Sequence, residues 1–305
     1  MQVISVINYK GGVGKTTLTA NIAGELAYRG YDVLMIDLDP QASLTFSFID
    51  PEKWRDEVAP SKTIKNWFTT KNKIKEKNFN KLIVSPEAVN DALDGRGTLD
   101  IVSSHLELIN VDLELATKLG GVDQQQMSEN FIKVHHRMKE GLDQIPEEAY
   151  DYVIIDCPPN FNIVTKCAIV ASDYVLIPAK PDYLSTMGID YLKASVKKLV
   201  TDYNGFCGQL GEDDETYETI DPEIIGVVFT MVQFYGGLPI NACRQYIDKT
   251  RELGFPVFDN YMRENKTLYA DAPRLGVPVV LNYKRGRADI VGEIEDIVDE
   301  LEVKL

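Results

Sequence analysis

Nine consecutive residues, Tyr9-Lys10-Gly11-Gly12-Val13-Gly14-Lys15-Thr16-Thr17, combine three glycines, two lysines and two threonines. That combination suits a nucleoside triphosphate. Glycines let the backbone bend tightly and turn its N–H groups onto phosphate oxygens. A helix opening near Lys15 adds its positive dipole end. Lys15 can reach the β- and γ-phosphates, and the Thr16 hydroxyl can ligate Mg²⁺. Lys10, Gly11, Gly12, Val13, Gly14, Lys15, Thr16 and Thr17 therefore form the expected ATP-binding set.

Two carboxylate groups stand at the ends of apolar runs. Asp156 closes the run 152–155. A lone carboxylate there is costly unless it meets a cation, and Mg²⁺ through a bound water is the expected partner. In Asp37-Leu38-Asp39-Pro40, Asp39 is expected to orient the attacking water. Phosphoryl transfer leaves a protein mainly positioning and charge stabilisation to supply. Asp37 is expected to support either the Mg²⁺ shell or Lys15. The expected metal set is Thr16, Asp37 and Asp156, and Lys15 and Asp39 are the expected catalytic residues of these two stretches.

These groups need a scaffold. Strands buried on both faces read as continuous apolar runs. Val3–Ile7, Val33–Ile36, Tyr152–Ile155 and Tyr174–Ile177 fit, with Ile224–Val228 as a fifth and Leu99–Val102 as a shorter sixth. Helical periodicity fills Thr16–Tyr28, Met127–Leu142, Tyr183–Val200, Asn241–Leu253 and Ala288–Leu301. The alternation predicts a doubly wound α/β fold with a mostly parallel sheet. Ligands bind such sheets at the carboxyl ends of the strands, where the motifs fall. One domain, 1–305, is expected, with polar insertions at about 49–98 and 204–223.

The loop departs from G-x-x-x-x-G-K-[ST], because Tyr9 holds the place of the first glycine and Lys10 follows it. It resembles the deviant Walker A loop of the ParA/MinD family of P-loop ATPases. Asp37-Leu38-Asp39-Pro40-Gln41 resembles that family's switch I. Asp151 to Pro159 resembles its Walker B and switch II strand, and Ala171 to Pro178 its following strand. Met262-Arg263-Glu264-Asn265 and Ala272-Pro273 resemble its nucleotide-base region. The resemblance covers most of the chain outside the insertions. It implies a sandwich homodimer with two ATPs at the interface, in which Lys10 touches the partner's phosphates. An ammonium there can neutralise charge developing in the transition state. Met262 and Arg263, with Met231, are the candidates for adenine. Hydrolysis is expected to be slow without an activating partner.

Composition bounds the rest. The 305 residues are 44% hydrophobic and carry a net charge of −15. That charge disfavours a protein that coats polyanions, though not a local basic patch. Lys62, Lys65, Lys71, Lys73, Lys75, Lys77 and Lys81 form a basic run, and Glu212, Asp213, Asp214, Glu215, Glu218 and Asp221 an acidic one. No stretch approaches the ~18 apolar residues of a membrane span. Four scattered cysteines without C-x-x-C spacing fit a reducing cytoplasm.

Within the resembled family the ParA-type, Soj-like branch is expected. That branch implies an ATPase that binds nonspecific DNA, positions a plasmid, chromosome region or other cargo, and answers to a ParB-like partner. It also implies a cytoplasmic, nucleoid-associated location. Nonspecific DNA binding needs several cations facing phosphates. The candidates are Arg244, Lys249 and Arg251 on one helix and Lys284, Arg285 and Arg287 near the C-terminus. A chain that starts at its first strand is expected to lack an operator-reading segment. The alternative is a MinD-like membrane-associated ATPase. The acidic C-terminal helix, with Glu293, Glu295, Asp296, Asp299, Glu300 and Glu302, opposes it, since anionic lipid repels such a helix. An iron–sulfur reductase sharing the loop would need cysteines beyond Cys157, and none is placed for it.

Overall fold

All six apolar runs become strands. The chain forms β1 (Gln2–Val6), α1 (Lys15–Tyr28) and β2 (Asp32–Asp37), then short helices α2 (Pro51–Lys53), α3 (Ile64–Phe68) and α4 (Glu87–Leu93). Next come β3 (Thr98–Val102), α5 (Leu108–Ala116), α6 (Gln124–His135), α7 (Arg137–Leu142), β4 (Tyr152–Asp156), α8 (Ile163–Val170), β5 (Tyr174–Ala179), α9 (Tyr183–Leu210) and β6 (Glu223–Phe229). A two-residue pair, β7 (Phe234–Tyr235) and β8 (Leu238–Pro239), precedes α10 (Asn241–Glu252), α11 (Lys266–Leu275), α12 (Val279–Asn282) and α13 (Ala288–Lys304). This computed structural model describes residues 1–69, 78–210, 217–282 and 288–305.

The main sheet runs β3-β2-β4-β1-β5-β6, with every pairing parallel. The doubly wound, parallel α/β fold expected from the alternation is what forms. Its core lies in two layers, because successive residues of a strand face opposite ways. Val3, Leu34, Ile36, Val153, Ile155, Val175 and Ile177 face one layer, packed by α5 to α9. Ile4, Val6, Val33, Met35, Ile154 and Leu176 face the other, with Leu18, Ile22 and Leu26 of α1 and Ile297, Val298 and Leu301 of α13. Arg29 ties these two helices further, through Glu25, Asp299 and Glu302.

Two helices depart from the periodicity. The helix expected over Met127–Leu142 is broken at His136, whose ring bonds the buried Tyr203 hydroxyl at 2.8 Å. The helix expected to stop near Val200 continues to Leu210. Tyr203 is fully buried and Phe206, Cys207 and Leu210 pack on the same core, so apolar contact extends the helix. The polar-looking stretch after residue 49 also contributes to the core, through Trp54, Trp67, Phe68 and Phe79.

Candidate nucleotide-binding site

β1 lies between β4 and β5 and delivers the chain to the glycine loop at the carboxyl edge of the sheet. Asn8 is buried and staples the turn. Its amide donates to the Pro178 carbonyl at 2.7 Å, and its oxygen accepts the Lys10 N–H at 2.9 Å. Gly12 and Gly14 take φ of +67° and +78°, a left-handed conformation that strains any side chain. Val13 is fully buried, and its carbonyl accepts the Thr230 hydroxyl at 2.5 Å. Gly14 stands at the N-cap of α1, where no side chain caps the helix and no acid occupies the first turn. First-turn N–H groups thus face the loop without a side-chain oxygen, the arrangement an anion completes.

Lys15 is only 7% exposed. Its ammonium lies 3.4 Å from the carbonyls of Asn8 and Lys10. Burial lowers its pKa, while Asp156 and Asp39 oppose that shift. The Thr16 hydroxyl donates to Asp156 Oδ2 at 2.6 Å. Asp156 Oδ1 is buried with no hydrogen-bond partner among the described residues. Burial raises the Asp156 pKa, and the neighbouring Asp37 raises it further. A buried carboxylate oxygen without a donor calls for a cation or a cation-bound water. Mg²⁺ commonly takes one or two carboxylates plus waters and substrate phosphates. Among the described residues no trio of His, Cys, Asp or Glu forms a metal cage, so Thr16 and Asp156 fit Mg²⁺ of that sparse kind.

Asp37 is Asp156's partner in the β2–β4 register, but its oxygens turn elsewhere. They accept Thr45 N–H at 2.8 Å, Thr45 Oγ1 at 2.7 Å and Asp39 N–H at 3.0 Å. Asp37 thus holds the loop 38–45 in shape. Burial raises its pKa, against those three hydrogen bonds. Asp39 is half-buried at the end of β2. One carboxylate oxygen accepts the Gln41 N–H at 2.9 Å, and its carbonyl accepts the Ser104 hydroxyl at 2.6 Å.

Lys10 pairs with Asp182, at 2.6 Å from Oδ2. Tyr9 packs between the rings of Phe161 and Tyr191, and its hydroxyl donates to Ser195 at 2.9 Å. Met262 is buried with its Cε beside Gly14, so it reaches the loop. Arg263 turns away, to Glu293 at 2.6 Å and Asp289 at 2.9 Å. Met231 adopts a φ of +52° just after β6. A small crevice bordered by Thr16, Thr17, Asn21, Phe48, Tyr269 and Pro278 opens beside the first turns of α1.

The DNA candidates Arg244, Lys249 and Arg251 share α10 and are exposed. Arg244 bonds Asn241, Arg251 pairs with Asp259 at 2.7 Å, and the Lys249 ammonium lies 6.0 Å from the Tyr183 ring. Lys284, Arg285 and Arg287 lie outside the described residues, as do Lys71, Lys73, Lys75, Lys77 and Glu212 to Glu215. Lys65 pairs with Glu107. Cys157 is buried, and burial pushes its thiol pKa up. Sequence reasoning missed Asn8, Thr230 and Asp182. The first two stand at the ends of apolar runs, a weak signal; Asp182 has none.

Residues 1–206 match a family described as AAA domain. An uncharacterised protein of Methanocaldococcus jannaschii is 35% identical over 199 residues, 65% of this chain and 66% of its own length, just under two thirds. The chromosome partitioning protein ParA of Caulobacter vibrioides is 26% identical over 282 residues, covering 92% of this chain and 87% of its own. Among solved structures, a variant of McdA from Cyanothece in complex with ATP superposes with a TM-score of 0.68 at 20% identity, over 99% of this chain and 96% of that one. At that identity the likeness concerns the fold.

Proposed function

This chain belongs to the AAA-domain family of ParA/MinD-type P-loop ATPases, and from that premise we propose that it is a Mg²⁺-dependent ATPase acting as a positioning switch. In this reading residues 1–305 form one P-loop domain bearing two insertions. ATP sits on the loop Lys10–Thr17, and two copies close as a sandwich over two nucleotides. The closed dimer holds nonspecific DNA, and a ParB-like partner triggers slow hydrolysis and release. The likeness to a chromosome partitioning protein supports a cargo of the plasmid, chromosome-region or large-assembly kind.

One observation carries the reading: Thr16 and Asp156 are joined behind an uncapped helix start, and among the described residues Asp156 Oδ1 has no donor. The uncapped turn and Lys15 bind and orient the triphosphate. Thr16 and Asp156 would hold Mg²⁺, which when bound neutralises charge on the phosphate oxygens. Asp39, at the half-buried end of β2, orients the attacking water. Asp37 keeps that end in place through Thr45. α13 buries its apolar side against α1, so in this reading it serves packing and not lipid. Among the described residues no helix is long and apolar enough to cross a membrane.

A gel shift with random-sequence duplex, with and without ATP and across a salt series, tests the proposal. The Asp39→Ala protein should bind ATP, retain DNA persistently and fail to turn over. Binding should weaken steeply with salt, as phosphate contacts do. Absence of any ATP-dependent shift at low salt overturns the DNA switch. Hydrolysis by Asp39→Ala at the wild-type rate removes Asp39 from its role.

A further inference from the structure

Lys10, the lysine expected to serve a second copy, is held here by its own chain. Its ammonium makes two contacts with the Asp182 carboxylate, 2.8 Å to Oδ1 and 2.6 Å to Oδ2. Asp182 stands immediately before α9, a helix of 28 residues. Its Oδ1 also accepts the Ser185 N–H at 2.9 Å, and its carbonyl accepts the Thr186 N–H at 3.1 Å. One carboxylate therefore caps a long helix and retains a cation from 172 residues earlier.

The pair is neither buried nor rigidly enclosed. Its side chains are 30% and 40% exposed. An ion pair this open shifts an equilibrium by about five-fold at most. A triphosphate carries several negative charges and competes well against one carboxylate. The backbone of Lys10 stays anchored by Asn8 while its side chain can exchange partners. Lys15 is disposed differently: its ammonium meets backbone carbonyls, not an acid.

We propose that Asp182 is a positioning residue that retains Lys10 within its own chain until the nucleotide of a second copy displaces it. This rests on the sandwich-dimer reading above. Each protomer must break one Lys10–Asp182 pair to donate its lysine. Two pairs therefore break per dimer, and Asp182 raises the protein concentration at which ATP drives dimerisation.

Asp182→Asn separates this role from capping, because asparagine caps a helix about as well as aspartate. Sedimentation equilibrium with Mg²⁺ and the slowly hydrolysed analogue ATPγS reads the effect. The dimerisation midpoint of Asp182→Asn should fall by about three- to twenty-fold, from two exposed pairs per dimer. Asp182→Glu should return it toward wild type. In a Lys10→Ala background, Asp182→Asn should shift nothing. A midpoint that is unchanged or raised, or a shift that survives in the Lys10→Ala background, overturns the proposal. If wild type dimerises and Asp182→Asn matches it, the latch alone falls. If wild type stays monomeric at every concentration with the analogue, the dimer reading falls and the latch falls with it.

Discussion

Lys15, beside the glycine loop, and Arg251, on α10, are cations of one charge in opposite settings. Lys15 is nearly buried, and the hydrogen bonds of its ammonium go to two carbonyls at 3.4 Å. Arg251 is exposed and paired with Asp259 at 2.7 Å and Asp248 at 3.7 Å. Burial lowers the Lys15 pKa against the opposing pull of Asp156 and Asp39, and an arriving anion would favour its charged form. The field of Arg251 is largely closed by its own acids, and an incoming phosphate must compete with them. The same contrast separates Asp156, with an orphan oxygen, from Asp37, whose oxygens accept three hydrogen bonds. In both pairs the group short of close partners lies at the glycine loop and the fully partnered one away from it, although Lys10 on that loop is itself paired with Asp182.

The largest test of that contrast is Lys15→Ala. Hydrogen bonds to charged groups contribute about 1.5–3 kcal/mol each, so ATP affinity should fall by at least about 100-fold. Isothermal titration with Mg²⁺-ATP measures it, and retained tight binding would remove Lys15 from the site.

Asp156→Asn should trade function for stability. An acid whose folded pKa is raised contributes its stability below its unfolded pKa, about 3.9. It loses that contribution as pH rises through the folded value. A neutral isostere should therefore raise the nucleotide-free melting temperature by roughly 2–4 °C at pH 8. The gain should shrink as pH falls toward 4, while Mg²⁺-dependent ATP affinity drops. Melting curves from pH 4.5 to 8.5 decide it; a loss of stability at pH 8 would mean that Asp156 is already satisfied.

Arg251→Ala should show the smallest effect. With its charge engaged by two acids, its removal should change DNA affinity less than about three-fold in the gel shift. A ten-fold drop would show that Arg251 leaves its acids for phosphate and would erase the contrast with Lys15.

How much of this was legible depended on how far each contact reaches along the chain. The loop was legible because its geometry is local: Gly12 and Gly14 need left-handed backbone, and Lys15 and Thr16 follow at once. Asp156 was legible as the polar end of a buried strand. Asp37 read as a possible metal ligand, because sequence cannot show that Thr45 turns back to occupy its oxygens. Arg251 read as a cation available to DNA, because counting charges does not reveal Asp248 and Asp259 folding beside it.

By itself, the sequence determined the six strands, the parallel α/β order and the glycine loop at the carboxyl edge of the sheet. Apolar runs, helical period and glycine dihedrals act between neighbours in the chain, so residue order suffices. Only the tertiary structure decided which polar groups arrive already partnered. Thr230 on Val13, Asp182 on Lys10 and the orphan Oδ1 of Asp156 all arise where distant strand ends converge. Hydrogen bonds and ion pairs act over a few ångströms, and across gaps of 172 and 217 residues only the fold supplies that distance.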